Sequence, residues 1–249
     1  MAEIVGKTII RFESLDSTNN YATSLLSENN VEEGTVVLAE GQLRGRGQRD
    51  NTWESSNGEN LLLSIVLYPS FLPVKYQFLI SKVVALGVYD VLSLYVENVS
   101  IKWPNDVYVG DKKIAGILIE NFLSGATINS SVIGIGININ QQKFYSNAPN
   151  PVSLSQITGI TYQKEKLLNL FLDAIDRWYL LLKNKDVTKI DTEYLNRMYR
   201  IDVLSNYKDA DGCFVGRIVG VNPIGQLVVE KEDGELKEYH FKEIEFLFK

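Results

Sequence analysis

The chain holds a single cysteine, Cys213, and a single histidine, His240, among 249 residues. No intrachain disulfide can form, and a zinc site or a histidine-dependent triad would lack its usual residues. So few thiols also point to a reducing compartment. Long apolar runs are missing too. No stretch approaches the roughly 20 residues needed to cross a bilayer, and residues 1–7 show no basic segment leading into an apolar one. A soluble, cytoplasmic protein with no membrane role is expected. Clustered positive charge is scarce: a net charge of −6 supplies no general Lys/Arg footprint for phosphate backbones, which argues against DNA as a partner. Internal repeats and low-complexity tracts are absent as well.

What is present is enough apolar residue, 45%, to bury one substantial core and a smaller second one. Period and punctuation predict strands over 9–12, 35–39, 61–68, 100–103, 107–109, 114–120 and 131–139. A short helix is predicted over 18–26 with the Ser17 hydroxyl as its N-cap. Another begins at Pro73 and a third covers 164–182, both with apolar faces fit to lie across a sheet. Residues 141–161, rich in Asn, Pro and Ser, read as an irregular connection. Consecutive tight turns, Gly110-Asp111 among them, favour an α+β fold with a mixed, mostly antiparallel sheet covered by helices. From about Ile201 short β runs separated by turn residues suggest a compact β-barrel-like module, dividing the chain into domains 1–200 and 201–249.

Four segments carry the chemical information. In the loop from Gly41 to Trp53, Gly45 and Gly47 allow unusual backbone angles and close approach to a ligand. Arg46 and Arg49 can neutralise an anion there, and Trp53 offers an aromatic face. A solvated basic hairpin with Trp53 buried for stability is the plain alternative. Lys102-Trp103-Pro104-Asn105-Asp106 concentrates a cation, an amide and a carboxylate at a rigid turn, as phosphate or metal handling requires; a charged β-turn is the competing reading. Lys113 and Glu120 bracket an apolar strand in which Gly116 leaves a gap on one face, or merely a bulge. In the Gly-punctuated strand around Gly134 and Gly136, Asn138 is suited to read an adenine edge, unless this is ordinary core.

In this order the segments closely resemble the biotin protein ligase family. Its Gly-Arg-Gly loop ending in Trp matches Gly45 to Trp53, its Lys-Trp-Pro-Asn-Asp matches Lys102 to Asp106, and its Lys-x-Ala-Gly-Ile-Leu-x-Glu strand matches Lys113 to Glu120. Gly-Ile-Gly-Ile-Asn follows at Gly134 to Asn138. The resemblance implies a class II synthetase-like catalytic domain with an SH3-like carboxy-terminal module, Mg2+, and biotin and ATP as substrates. It implies a reaction in two steps, through biotinyl-5′-AMP to a lysine of the biotin-carrier domain of a carboxylase. By that resemblance Ser17, Thr18, Asn19 and Gln42 take the biotin ring, with Gly45, Arg46, Gly47, Gln48, Lys113 and Gly116 completing its site. Arg49, Trp53, Lys102 and Asn138 would bind ATP, and Lys113, Arg46, Lys102 and Asp106 would serve the chemistry.

Two departures stand out. Gln48 stands where the family usually has arginine, and Asp50 where glycine is common. Arg49, or Arg46 from the other side, is the expected substitute cation, and the loop is expected to be mobile until substrate orders it. The ligase pattern starts at about Ile9, which leaves no expected winged-helix repressor domain. Homodimerisation through sheet edges is a property of the resembling family. A lipoate-type ligase and a non-catalytic sensor stay open as alternatives; the sensor would be favoured by absence of Lys113 or Arg46, and both are present.

Overall fold

The computed structural model describes residues 3–28, 31–48, 51–145 and 150–247. Seven strands form the main sheet: β1 (Ile9–Leu15), β2 (Val36–Gln42), β3 (Leu61–Leu67), β4 (Val99–Lys102), β5 (Asp106–Val109), β6 (Lys112–Ser124) and β7 (Thr127–Ile137). Their spatial order is β1-β2-β3-β7-β6-β5-β4. Only β1 and β2 run parallel, because helix α1 (Thr18–Ser27) carries the chain back between them; the other ladders are antiparallel, as tight turns demand.

Strand alternation gives the sheet two different faces. On β7, Ile133, Ile135 and Ile137 point into a large core that also takes up α2 (Phe78–Leu92) and α4 (Lys164–Lys183). The opposite face carries Val132 against Ala22 of α1, then Gly134 and Gly136. Helix α2 is apolar nearly all round, consistent with its position between the sheet, α4 and α5 (Val187–Asn196).

The second sheet comprises β8 (Ser205–Asp209), β9 (Gly212–Val221), β10 (Leu227–Lys231), β11 (Leu236–Tyr239) and β12 (Glu245–Phe246), all antiparallel. Its buried Tyr207, Ile218, Leu227 and Phe246 join the same apolar cluster as the main sheet. Trp103 fastens the junction, with Nε1 donating to the Gly225 carbonyl at 2.9 Å and its ring edge-on to Phe241.

Several details differ from the sequence reading. Ser17 occupies the N-cap of α1, but its side chain makes no capping bond; the Gln42 carboxamide oxygen accepts the Thr18 N–H instead, at 2.7 Å. Pro73 leads into a single 3-10 turn, Val74–Tyr76, and α2 starts only at Phe78. The connection expected to be irregular contains helix α3 (Leu154–Thr158), nucleated by a Ser153/Gln156 capping box. Among the described residues no helix is long and apolar enough to cross a membrane.

Candidate active site

A cavity of about 620 Å3 lies on the α1 face of the main sheet and under the edge of the second one. Its floor is nearly free of side chains. Gly116 on β6 pairs with Gly136 on β7, and Leu118 with Gly134, so three glycines share one face. Trp53 fills part of the gap: a Cβ built on Gly136 would lie 2.3 Å from its Cε2, and one on Gly116 would lie 2.7 Å from its Cζ3. Asn19 closes on Gly134 in the same way, at 2.3 Å. Glycine is required here for close approach, since no other residue would let an indole and an amide rest on the strands.

One end of the cavity is polar, and the charges beside it, Arg46 and Glu120, neutralise each other. Ser17, Thr18 and Asn19 are buried at the start of α1. Ser64, buried on β3, lies 2.8 Å from Thr18 Oγ1 and 2.6 Å from Asn19 Oδ1, and the Thr18 hydroxyl donates to Gln42 at 3.1 Å. The other end is cationic. Lys102 and Asp106 face each other across the β4–β5 turn, which contains a cis Trp103–Pro104 bond. Lys113 Nζ meets Asp106 Oδ1 at 2.6 Å and stands 5.5 Å from the centre of the Trp53 ring.

Lys102 has no carboxylate at salt-bridge distance among the described residues; its ammonium stands over the rings of Phe246, at 4.5 Å, and Tyr108, at 5.3 Å. Burial pushes its pKa below the ordinary lysine value, Asp106 opposes this, and Lys113 and Arg200 add to it. A bound anion would raise that pKa again, so at any pH where the free Lys102 is partly neutral, binding takes up a proton. Affinity for a phosphate-bearing ligand should therefore fall as pH rises through the lowered Lys102 pKa, at a lower pH than an ordinary lysine would allow. Calorimetric titration of ATP from about pH 7 to 10 checks this; Lys102→Arg should flatten the alkaline arm, and a wild-type profile that is already flat would contradict it.

The Gly/Arg loop is a closed hairpin over the described residues. Gly47 N–H donates to the Asn51 carbonyl at 2.7 Å and Trp53 N–H to the Gly45 carbonyl at 2.9 Å. Neither Gly45 nor Gly47 uses a positive φ, so unusual dihedrals are not their purpose; a Cβ on Gly45 would meet the Trp53 carbonyl at 2.5 Å. Arg46 turns to β6, where its guanidinium grips Glu120 with both Nη atoms at 2.7 and 3.1 Å. Gln48 lines the cavity with its side-chain oxygen buried and unpartnered.

A model of the biotin/lipoate A/B protein ligase family matches residues 11–138. A biotin–[acetyl-CoA-carboxylase] ligase of Paracoccus denitrificans is 34% identical over 88% of this chain and 92% of that protein. The chain belongs to the biotin/lipoate A/B protein ligase family. The bifunctional ligase/repressor BirA of Bacillus subtilis (strain 168) is 29% identical over 95% of this chain and 74% of its own length. A solved biotin protein ligase from Aquifex aeolicus, in complex with biotin and ATP, aligns with TM-score 0.79 and 28% identity, covering 96% of this chain and 98% of that one.

With the family in view, the sequence-predicted site residues divide into four groups. Ser17, Thr18, Asn19, Gln42, Arg46, Gly47, Gln48, Trp53, Lys102, Asp106, Lys113 and Gly116 line the one cavity. Gly45 sits behind it, in contact with Gln42 and Trp53. Asn138 does not reach the wall: its Nδ2 donates to the Val152 carbonyl at 3.1 Å, its backbone pairs with Ile114 and Leu154, and its Oδ1 is buried without a partner. Arg49 and Asp50 lie outside the described residues. The sequence reading missed Ser64, hidden in the apolar run of β3, though strand alternation puts it on the face of Gly134. It also missed Lys242, Glu245 and Phe246, which bring the second sheet to the cavity rim.

Proposed function

We propose that this family member is an ATP-dependent biotin protein ligase, which activates biotin to biotinyl-5′-AMP and passes it to a lysine of a carboxylase's biotin-carrier domain. The observation that carries this reading is the change in polarity along one cavity. Uncharged donors and acceptors, Ser17, Thr18 and Gln42, line one end, and Lys113, Asp106 and the unpaired Lys102 line the other. A ligand with a cyclic urea at its head and a carboxylate at its tail would meet these groups in that order. Lipoate has no ureido group to satisfy the polar end.

In the first step a biotin carboxylate oxygen bonds to the α-phosphorus as the bond to the bridging oxygen breaks, and pyrophosphate leaves. Two anions must approach, so Lys113 and Lys102 act as electrostatic stabilisers, Lys113 beside the carboxylate and Lys102 beside the phosphates. Trp53 backs the adenylate by packing. In the second step the acceptor amine attacks the acyl carbon and AMP departs with the electron pair; Asp106 orients that amine or takes its proton. Magnesium, when bound, neutralises charge on the leaving pyrophosphate. Dividing the chain at about residue 200 gives a catalytic unit capped by an SH3-like module that supplies only the rim.

Biotin-dependent exchange of pyrophosphate into ATP tests the first step. Exchange driven by biotin and not by lipoate is the expected result; exchange driven by lipoate alone would favour the lipoate-type reading. Because Gln48 replaces the usual arginine, retention of biotinyl-AMP is a separate measurement. If Arg49 supplies the charge, release of the adenylate should be no faster than from ligases with that arginine, and Arg49→Ala should speed it roughly 10-fold or more, since charge-assisted bonds contribute about 1.5–3 kcal/mol.

A further inference from the structure

Glu120 stands at the point where the loop, α1 and β6 meet. Its Oε1 accepts Arg46 Nη2 at 2.7 Å, while its Oε2 accepts Arg46 Nη1 at 3.1 Å and Asn19 Nδ2 at 2.9 Å. Arg46 Nη1 also donates to Asn20 Oδ1 at 2.7 Å. Asn19 in turn meets Ser64, Ser64 meets Thr18, and Thr18 donates twice to Gln42, the residue from which the loop departs. The bonds thus close a circuit: loop, Glu120, Asn19, Ser64, Thr18 and back to the stem of the loop.

This arrangement has two physical consequences. The Arg46 charge is spent on a bidentate carboxylate pair, the geometry guanidinium prefers, and is not free for phosphate while the pair holds. Asn19 cannot turn its amide to a ligand without losing Glu120 and the Leu118 carbonyl. We infer that Glu120 is a positioning residue: through Arg46 it latches the Gly/Arg loop over the cavity, and through Asn19 it sets the shape of the polar end. Arg46 is accordingly the latch of the loop, and among the described residues the phosphates fall to Lys102. The ligand part of this inference rests on the biotin ligase reading; the latch itself does not.

The experiment has two arms. In ligand-free protein, Glu120→Ala and Arg46→Ala should each raise backbone hydrogen exchange in both residues 43–48 and residues 17–20, and the double variant should add little to either. In calorimetry each single variant should weaken biotin binding roughly tenfold, with a coupling that makes the double variant non-additive and with ATP affinity unchanged. Glu120→Gln, which keeps volume but turns an amide N–H toward Arg46 and Asn19, should fall between wild type and Glu120→Ala. Additive effects, or a loss of ATP affinity in Arg46→Ala that Glu120→Ala does not share, would overturn the latch. Wild-type protein that binds no biotin would defeat the ligase reading while leaving the exchange arm to decide on the latch.

Discussion

Replacing Lys113 with methionine is expected to lower biotin activation by about 10²–10³-fold, the usual loss when one preorganised donor to developing charge is removed. The adenylation step should carry that loss. Transfer from added biotinyl-AMP should fall much less, because the phosphate bond to be made is already formed. A confounding effect must be separated, since Lys113 pairs with Asp106 where both side chains keep only 20% and 15% exposure. Removing one partner of a fully buried pair costs about 3–5 kcal/mol, and less here because water still reaches the site. Lys113→Met/Asp106→Asn removes both charges, so it should recover most of the thermal stability without recovering adenylation. Full adenylation by Lys113→Met would remove Lys113 from the chemistry.

Gly136→Val is the second large expectation. A Cβ at that position would sit 2.3 Å from Trp53 Cε2, inside any tolerable contact, and the paired Gly116 leaves the ring little room to slide sideways. Trp53 must leave the floor, and its N–H bond to Gly45 closes the loop hairpin, so the loop moves with it. A misplacement of about 1 Å costs on the order of 10²-fold in rate, and overpacking costs about 1–3 kcal/mol. The variant should therefore lose roughly 10²-fold in biotin-dependent pyrophosphate exchange, with Trp53 fluorescence shifted to that of a wetter ring. Adding Trp53→Ala should restore the stability and not the activity. Unchanged fluorescence in Gly136→Val would show that the floor does not seat Trp53.

Much of this was legible in the residues, for identifiable reasons. The β4–β5 turn is written in Lys102 to Asp106 because a proline and an Asn-Asp pair permit little else, and the gap at Gly116 announced that something would lie over the sheet. That the occupant is Trp53 needed the loop to fold back, which no periodicity encodes. Ser64 was hidden because β3 is buried on both faces and reads as one apolar run. Helix α5 escaped because its only buried residues, Ile190 and Tyr194, form a single i, i+4 pair in an otherwise polar segment. In the sequence Arg46 stands as a free cation because its partner, Glu120, lies 74 residues away; charge pairing across such a distance is a property of the fold.

The measurement that tests the account most directly is transfer of radiolabelled biotin, in the presence of ATP and magnesium, to a biotin-carrier domain and to the same domain with its target lysine changed to arginine. Label on the first and none on the second is the expected result. Pyrophosphate release with no label on any carrier domain, or no activation of biotin at all, would contradict it.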